Sequence, residues 1–248
     1  MISRRRVILG AGSGLLLGGC DRLNSDPGFR GVLRSAEGLT MRAQRLISAR
    51  DSLAREFSEA DMSPVFRSNG TSLPGTPAYA RHLSESFANW RLIVDGLVSR
   101  PLSLTLAQVR SVPTRTQITR HDCVEGWSAF GKWHGAPLGK LLNAAGLRST
   151  AKYIVFHCAD QLGGRPYYES INLVDAFHPQ TILAWGMNGA LLPVPHGAPL
   201  RLRVERQLGY KHAKYVERIQ AVDSLAGIHG GRGGYWEDAG DYEWYAGI

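Results

Sequence analysis

The stretch Arg120-His121-Asp122-Cys123-Val124-Glu125-Gly126-Trp127-Ser128 gathers more reactive side-chain types than any other in the chain. It ends a strand-like run and enters a Gly/Trp turn, where loops present reactive groups. Arg120 and His121 beside Cys123 favour a thiolate. A thiolate is a soft ligand for a transition metal. The residues alone leave three other readings open. Cys123 can be a buried structural thiol. It can pair with Cys158 as a disulfide in an oxidising compartment. His121-x-Cys123 and His157-Cys158 also offer zinc ligands, though without the CxxC or HxxxH spacing of a strong zinc site. Asp122 and Glu125 either shape a proton supply or anchor the loop. Trp127, Trp133 and Trp185 read as core, and His157 and His178 as structural histidines.

These residues need elements to hold them. β-like runs are predicted at Trp90–Asp95, Thr116–His121, Tyr153–Ala159, Leu200–Glu205 and Ala213–Val222. Strand alternation puts Cys158 on the face of Ile154 and Phe156, a core position. Helical runs are predicted at Leu106–Val109, Leu138–Ala145 and Leu173–Phe177. Residues 63–79 hold three prolines and two glycines and read as an extended, turn-rich segment. Irregular insertions between strands indicate an α+β fold rather than alternating βαβ units. The glycine-rich His229–Gly234 matches neither a P-loop nor a strand-borne GxGxxG. The segment 234–248 carries five aromatics and four acids. Leaving these aromatics in water is costly, so the segment is predicted to be ordered, as a strap or as a wall of a substrate funnel.

The net charge of +8 suits an anionic partner: nucleic acid, lipid or a small molecule. Part of it belongs to an address. Ser3-Arg4-Arg5-Arg6 opens an apolar run of about 11 residues, well short of the roughly 20 of a membrane-spanning helix. It resembles a twin-arginine export signal. Leu17-Gly18-Gly19-Cys20 resembles a lipobox with Cys20 as the lipidated residue, and Asp21 resembles an inner-membrane retention signal. Cleavage before Cys20 removes three arginines and no acid, which takes the +8 to +5. Residues 1–19 are thus read as signal peptide, and 20–62 as tether and N-terminal helix. Apolar residues at helical spacing place that helix at Leu39–Phe57, with its arginines on a solvated face or against lipid headgroups. Residues 63–248 form the domain proper. Export leaves nucleic acid poorly placed as a partner.

Cys123-Val124-Glu125-Gly126-Trp127-Ser128, followed by Trp133 and Pro137-Leu138, resembles the molybdenum-cysteine loop of the sulfite oxidase family of molybdopterin-dependent oxidoreductases. The similarity is closest to the branch of periplasmic methionine-sulfoxide reductase catalytic subunits. It continues in Phe66-Arg67-Ser68-Asn69-Gly70, which resembles the family's Arg-Asn-His segment, in Ala151-Lys152-Tyr153, in Asp175–Pro179, in Gly197-Ala198-Pro199-Leu200-Arg201-Leu202 and in Gly209–Lys214. Together these cover roughly residues 63–223. The resemblance implies a sulfite-oxidase-type domain of mixed sheets and short helices. The family's C-terminal immunoglobulin-like dimerisation domain is expected to be absent.

The resemblance also implies roles. Cys123 would be the metal ligand. Asn69, Cys158, His196, Arg201, His212, Ala213 and Lys214 would contact the molybdenum–molybdopterin cofactor, His196 standing where relatives have Asn. Arg67 would face substrate oxygen atoms. Sulfite oxidases follow the metal cysteine with Ala-Gly-Asn-Arg. Val124-Glu125-Gly126-Trp127 lacks that sulfite-binding cation, which favours reduction of an S-oxide or N-oxide over sulfite-like oxidation of a small oxyanion. No Cys-x-x-Cys-His haem motif is present, so electrons would come from a separate haem protein, such as a membrane cytochrome. Two rivals from other classes are a periplasmic anion-binding lipoprotein without catalysis and a zinc hydrolase.

Overall fold

The computed structural model describes residues 26–248, so the export signal, the lipobox and Cys20 lie outside the described residues. Contacts divide the chain into two compact units, up to Ile47 and Ser48–Ile248. In the first, helix α1 spans Pro27–Ile47. Asp26 Oδ1 accepts the Phe29 N–H at 2.7 Å and starts the helix over a proline, so the helix begins twelve residues before the expected Leu39, within the stretch read as tether. The expected helix at 39–57 stops at Ile47 because the next residues find other partners. Ala54 N–H donates to Gln180 Oε1, and Phe57 N–H donates to the carbonyl of Ile118. Tertiary pairing overrides the helical spacing there. Among the described residues no helix is long and apolar enough to cross a membrane.

The second unit is built on two sheets. One contains β1 (Arg91–Gly96), β2 (Leu102–Thr105), β5 (Tyr153–Leu162), β6 (Arg165–Asn172) and β10 (Val216–Val222), in the order β2-β1-β10-β5-β6. β1 and β10 pair in parallel; the other neighbours are antiparallel. The other contains β3 (Arg115–Asp122), β4 (Ser128–Pro137), β7 (Ile182–Met187) and β8 (Ala190–Leu191), with β9 (Arg201–Arg203) on the far side of β7. Short helices connect them: α2 (Pro77–Ser84), α3 (Leu106–Ser111), α4 (Leu138–Ala145) and α5 (Leu173–Ala176).

Alternation on β1 and β5 sends Leu92, Val94, Ile154 and Phe156 into one core with Leu138 and Leu142 of α4, Leu183 of β7 and Leu202 of β9. That core joins the two sheets. α3 begins with a reciprocal cap in which Thr105 Oγ1 accepts from Gln108 N–H and Gln108 Oε1 accepts from Thr105 N–H. β10 starts at Val216, three residues later than its apolar run suggests, because 209–214 forms a tight turn and loop. After β10 the chain runs through a loop and α6 (Tyr235–Ala239), then returns to the same unit. Gly247 bridges to Gln207 and Trp244 Nε1 donates to Ser170 Oγ, so the C-terminal segment is ordered against the domain.

Candidate functional site

The end of β3 and the turn into β4 present Cys123. Its N–H donates to the Trp127 carbonyl at 2.9 Å and its carbonyl accepts from Gly126 at 3.0 Å. Gly126 sits at φ +85°, the left-handed region that lets this loop close tightly. The acids of the loop brace it. Asp122 takes hydrogen bonds from Arg120 Nε and Ser128 Oγ, and Glu125 takes one from Trp127 Nε1. The Cys123 thiol is buried at 6% exposure and lines a cavity. Burial pushes the thiol pKa up, while backbone N–H groups and the Asn69 amide work against the shift. Asn69 Nδ2 donates to Cys123 Sγ at 2.9 Å.

Asn69 belongs to a segment held onto the domain by Phe66. The Phe66 ring contacts His121, Trp127, Trp133 and His196, with centroids 5.3–6.4 Å away. Arg67, next along, is exposed at the cavity wall, and among the described residues its guanidinium makes no ion pair. Lys214 secures the same segment. Its three ammonium hydrogens go to the carbonyls of Asn69 (2.6 Å), Thr71 and Pro195 (3.0 Å). The loop that brings Pro195 and His196 in turns at Gly197, φ +109°, where an added Cβ would lie 2.9 Å from Lys214 Cβ.

Positive charge accumulates on this wall, where Arg67, Arg201 and Lys214 outnumber the carboxylates of Glu125 and Asp160. Arg201 is 4% exposed and donates to the carbonyls of His196 and His212, while its Nε has no partner. Burial lowers Arg201 to about 9, with Arg203 adding to the effect and Glu205 opposing it. Lys214 falls to about 7 through burial and the nearby Arg201. His196 falls to about 4 for the same two reasons and Lys214. Arg203, beneath, is neutralised by Glu205 and stacks on Trp133 at 4.3 Å. An anionic ligand would restore these depressed cations to their charged forms.

Two histidines complete the wall, each with its tautomer set by a neighbour. Arg203 Nη1 donates to His121 Nδ1 at 3.0 Å, which leaves the proton on Nε2. His212 Nε2 donates to the Gln207 carbonyl at 3.0 Å, which leaves Nδ1 a buried acceptor without a partner. Burial and the adjacent arginines hold both well below the usual histidine range. Gly209 fits against the His121 ring, where a Cβ would come within 2.6 Å of Nε2.

The cavity therefore brings together Cys123, Arg67, Asn69, His196, Arg201, His212 and Lys214. It does not bring in Cys158 or Ala213. Cys158 packs against the main core and its Sγ lies 3.9 Å from its own strand's Phe156 carbonyl, and Ala213 is buried in that core. Both cysteines are free thiols, so no disulfide joins Cys123 and Cys158. Among the described residues no three His, Cys, Asp or Glu side chains converge as a metal cluster, and His157 and His178 serve Gln220 and the Ser52 carbonyl. His121 and Tyr210, from two of the motifs, also line the cavity, as do Trp236 and Tyr242 from the aromatic C-terminal segment; Asp160 lines it too and belongs to none of the motifs. Trp236 and Tyr242 come from the C-terminal segment and stack at 5.5 Å; Tyr210 meets Tyr242 at 5.1 Å. A buried ion cluster fixes that segment. Lys211 Nζ lies 2.8 Å from Glu169 Oε2 and also contacts Glu237, with all three side chains fully buried.

A family model described as oxidoreductase molybdopterin binding domain matches residues 80–227. A putative protein-methionine-sulfoxide reductase subunit, YedZ1, of Azospira oryzae is 44% identical over 160 residues, which cover 64% of this chain and 56% of that protein. The chain thus matches little more than half the length of this curated relative. Among solved structures, the sulfane dehydrogenase SoxCD of Paracoccus pantotrophus superposes with a TM-score of 0.50 at 25% identity, over 55% of this chain and 39% of that one. The family match covers the cavity's Cys123, His196, Arg201 and Lys214 but neither the Phe66–Thr71 wall nor Trp236 and Tyr242. The chain belongs to the molybdopterin-binding oxidoreductases of the sulfite oxidase family.

Proposed function

We propose that this protein reduces an S-oxide or N-oxide at a molybdenum ligated by Cys123. The observation that carries the reading is the buried Cys123 thiol on a cavity wall where cations outnumber carboxylates. The cofactor combines a soft metal that takes a thiolate with a phosphate that takes positive charge, and the residues present fit both needs. When bound, it supplies the two-electron change that moves an oxygen atom to or from sulfur or nitrogen.

The chain's own residues do the positioning. Asn69 Nδ2 holds the Cys123 sulfur in one orientation. Arg201 gives its unpartnered Nε and its charge to the anionic part of the cofactor, and Lys214 acts there through charge, since its hydrogens serve carbonyls. His196 lines the same wall. Arg67, free of ion pairs, orients the substrate oxygen with a charged hydrogen bond. Tyr210, Trp236 and Tyr242 close the outer side, exclude water and give carbon-rich substrate groups an aromatic surface. The direction toward S-oxide reduction is supported by the name of the Azospira oryzae relative and by the lack of a cation just after Cys123.

The segments Ser3–Arg6 and Leu17–Cys20 support export to the periplasm, with Cys20 as an inner-membrane lipid anchor. A separate haem protein, such as a membrane cytochrome, then delivers electrons. The decisive measurement is the metal content of protein made in cells that synthesise the cofactor. About one molybdenum per chain, lost in Cys123→Ala, together with reduction of methionine sulfoxide by a reduced dye, is expected. Metal-free or zinc-loaded protein would overturn the reading. Cys20→Ala should move the protein from the membrane fraction to the soluble periplasm; persistent membrane association would remove the anchor.

A further inference from the structure

Helix α1 differs in pattern from the rest of the described chain. Its apolar residues Phe29, Val32, Ala36, Leu39, Ala43 and Leu46 recur every three or four positions, which sets them along one face of the helix. That face is bare. Val32, Leu39 and Leu46 are 65%, 64% and 87% exposed, and Ala36 and Ala43 are exposed with them. Five of the twelve large hydrophobic side chains that are exposed among the described residues lie on this one helix, and the other seven are scattered along the chain after it. A continuous apolar stripe is costly in water and marks a surface that meets something apolar.

The charge identifies the partner. The helix carries Arg30, Arg34, Arg42 and Arg45 against Glu37 alone, and Arg42, exposed, sits at the edge of the stripe. An apolar face edged by arginine suits a helix lying in the plane of an anionic membrane surface, with its apolar side chains among the acyl chains and its guanidinium groups at the phosphates. Position agrees with charge. Pro27 follows Cys20 by seven residues, about 25 Å of fully extended chain at most. A lipid on Cys20 would therefore hold α1 within reach of the headgroups at high effective concentration. The stripe also has heptad spacing, but Ala36 and Ala43 take two of its five seam positions and Gly31 and Gly38 weaken the helix, which makes a poor coiled coil.

We propose that α1 is a membrane-surface helix that docks its Phe29–Leu46 face onto anionic phospholipid. The proposal rests on the reading that this end of the chain lies at the inner membrane, and it adds a second contact to the lipid anchor. Alone the helix binds weakly and reversibly, so protein without the lipid still washes off membranes during fractionation.

The test uses the mature chain, residues 20–248, carrying Cys20→Ala so that no lipid is attached. Its co-sedimentation with vesicles of phosphatidylglycerol and phosphatidylethanolamine is compared with that on vesicles of phosphatidylcholine. Expected is partition onto the anionic vesicles, falling roughly tenfold between about 0.1 M and about 0.5 M salt as charges are screened. Leu39→Gln with Leu46→Gln should weaken partition roughly tenfold or more, and Arg42→Gln about fivefold. All three side chains are exposed, so the variants should keep the wild-type melting temperature, which separates lost binding from misfolding. No binding by the unlipidated chain, equal binding to both kinds of vesicle, or binding retained in the double leucine variant would overturn the proposal. So would a dimer in sedimentation equilibrium that the leucine substitutions dissociate, since the stripe would then face a second copy. Fractionation of cells making the wild type decides the anchor separately: soluble wild-type protein would remove the reading of Cys20, and the vesicle result would still decide α1.

Discussion

Replacing Lys211 by Met should cost this domain a large part of its stability, and more at high pH than at low. Lys211 Nζ sits 2.8 Å from Glu169 and touches Glu237, and none of the three side chains is more than 1% exposed, so water screens none of these contacts. Removing the ammonium leaves two carboxylates in a dry site. Breaking a buried pair in this way costs about 3–5 kcal/mol, against a total stability of roughly 5–15 kcal/mol. At about 1.4 kcal/mol per factor of ten, the unfolding constant rises at least 100-fold. Burial, with Glu237 adding and Lys211 opposing, holds the Glu169 carboxyl well above its ordinary 4.5. The folded chain thus keeps a proton that the unfolded chain releases, so the contribution of Glu169 is best below 4.5 and is lost as pH rises through the folded value. Without Lys211 that value climbs further, so the deficit of K211M should be larger at pH 8 than at pH 5. Urea unfolding followed by tryptophan fluorescence at both pH values measures it, as a midpoint shift at constant slope. Adding Glu237→Gln should recover part of the loss. A deficit under about 1 kcal/mol, or one equal at the two pH values, would refute the reasoning.

Cofactor-free protein should melt at higher temperature as pH rises from 7 toward 9. Lys214 loses its proton near 7 in the fold and only near 10.5 in the unfolded chain, so the unfolded chain binds more protons over that window. Cofactor-loaded protein should show little of this slope, and equal slopes in a differential scanning experiment would contradict the cation wall. Arg67→Ala should weaken substrate capture, raising KM for the S-oxide about 10- to 100-fold as a charged hydrogen bond is lost, with Arg67→Lys recovering part; an unchanged KM would remove Arg67 from the site. Gly209→Ala places a Cβ within 2.6 Å of the His121 ring and should lower both the melting temperature and cofactor content, while Gly227→Ala, with open space around it, should change neither.

Helices with an unbroken apolar stripe and a clear stop are legible in this sequence. Leu138–Ala145 is found at its expected limits because Leu138, Leu141, Leu142 and Ala145 share a face and Gly146 ends it at φ +69°. β4 is illegible for the opposite reason. Its glycines look like turn residues, yet Gly135 is there because a Cβ would lie 2.1 Å from the Leu183 carbonyl across the β4–β7 pairing. At the site, Cys123, Asn69, Arg201 and Lys214 are legible because each sits in a motif. Asp160 is not, since it reaches the cavity only where distant segments meet, and the aromatic content of 234–248 suggests a wall without singling out Trp236. Cys158 carries two expectations, a cofactor contact from the resemblance and a core position from its alternation with Ile154 and Phe156; it packs, partly buried, against the core.

The cavity takes its walls from both flanks of the family domain, from Phe66 on one side and Tyr242 on the other. A chain emerging from the ribosome therefore carries Cys123, Arg201 and Lys214 well before it carries Trp236, and until then the compartment has an open side. Lys211 and its two carboxylates pin that outer wall in place, so weakening the cluster is expected to speed cofactor uptake by empty protein as well as to lower its stability.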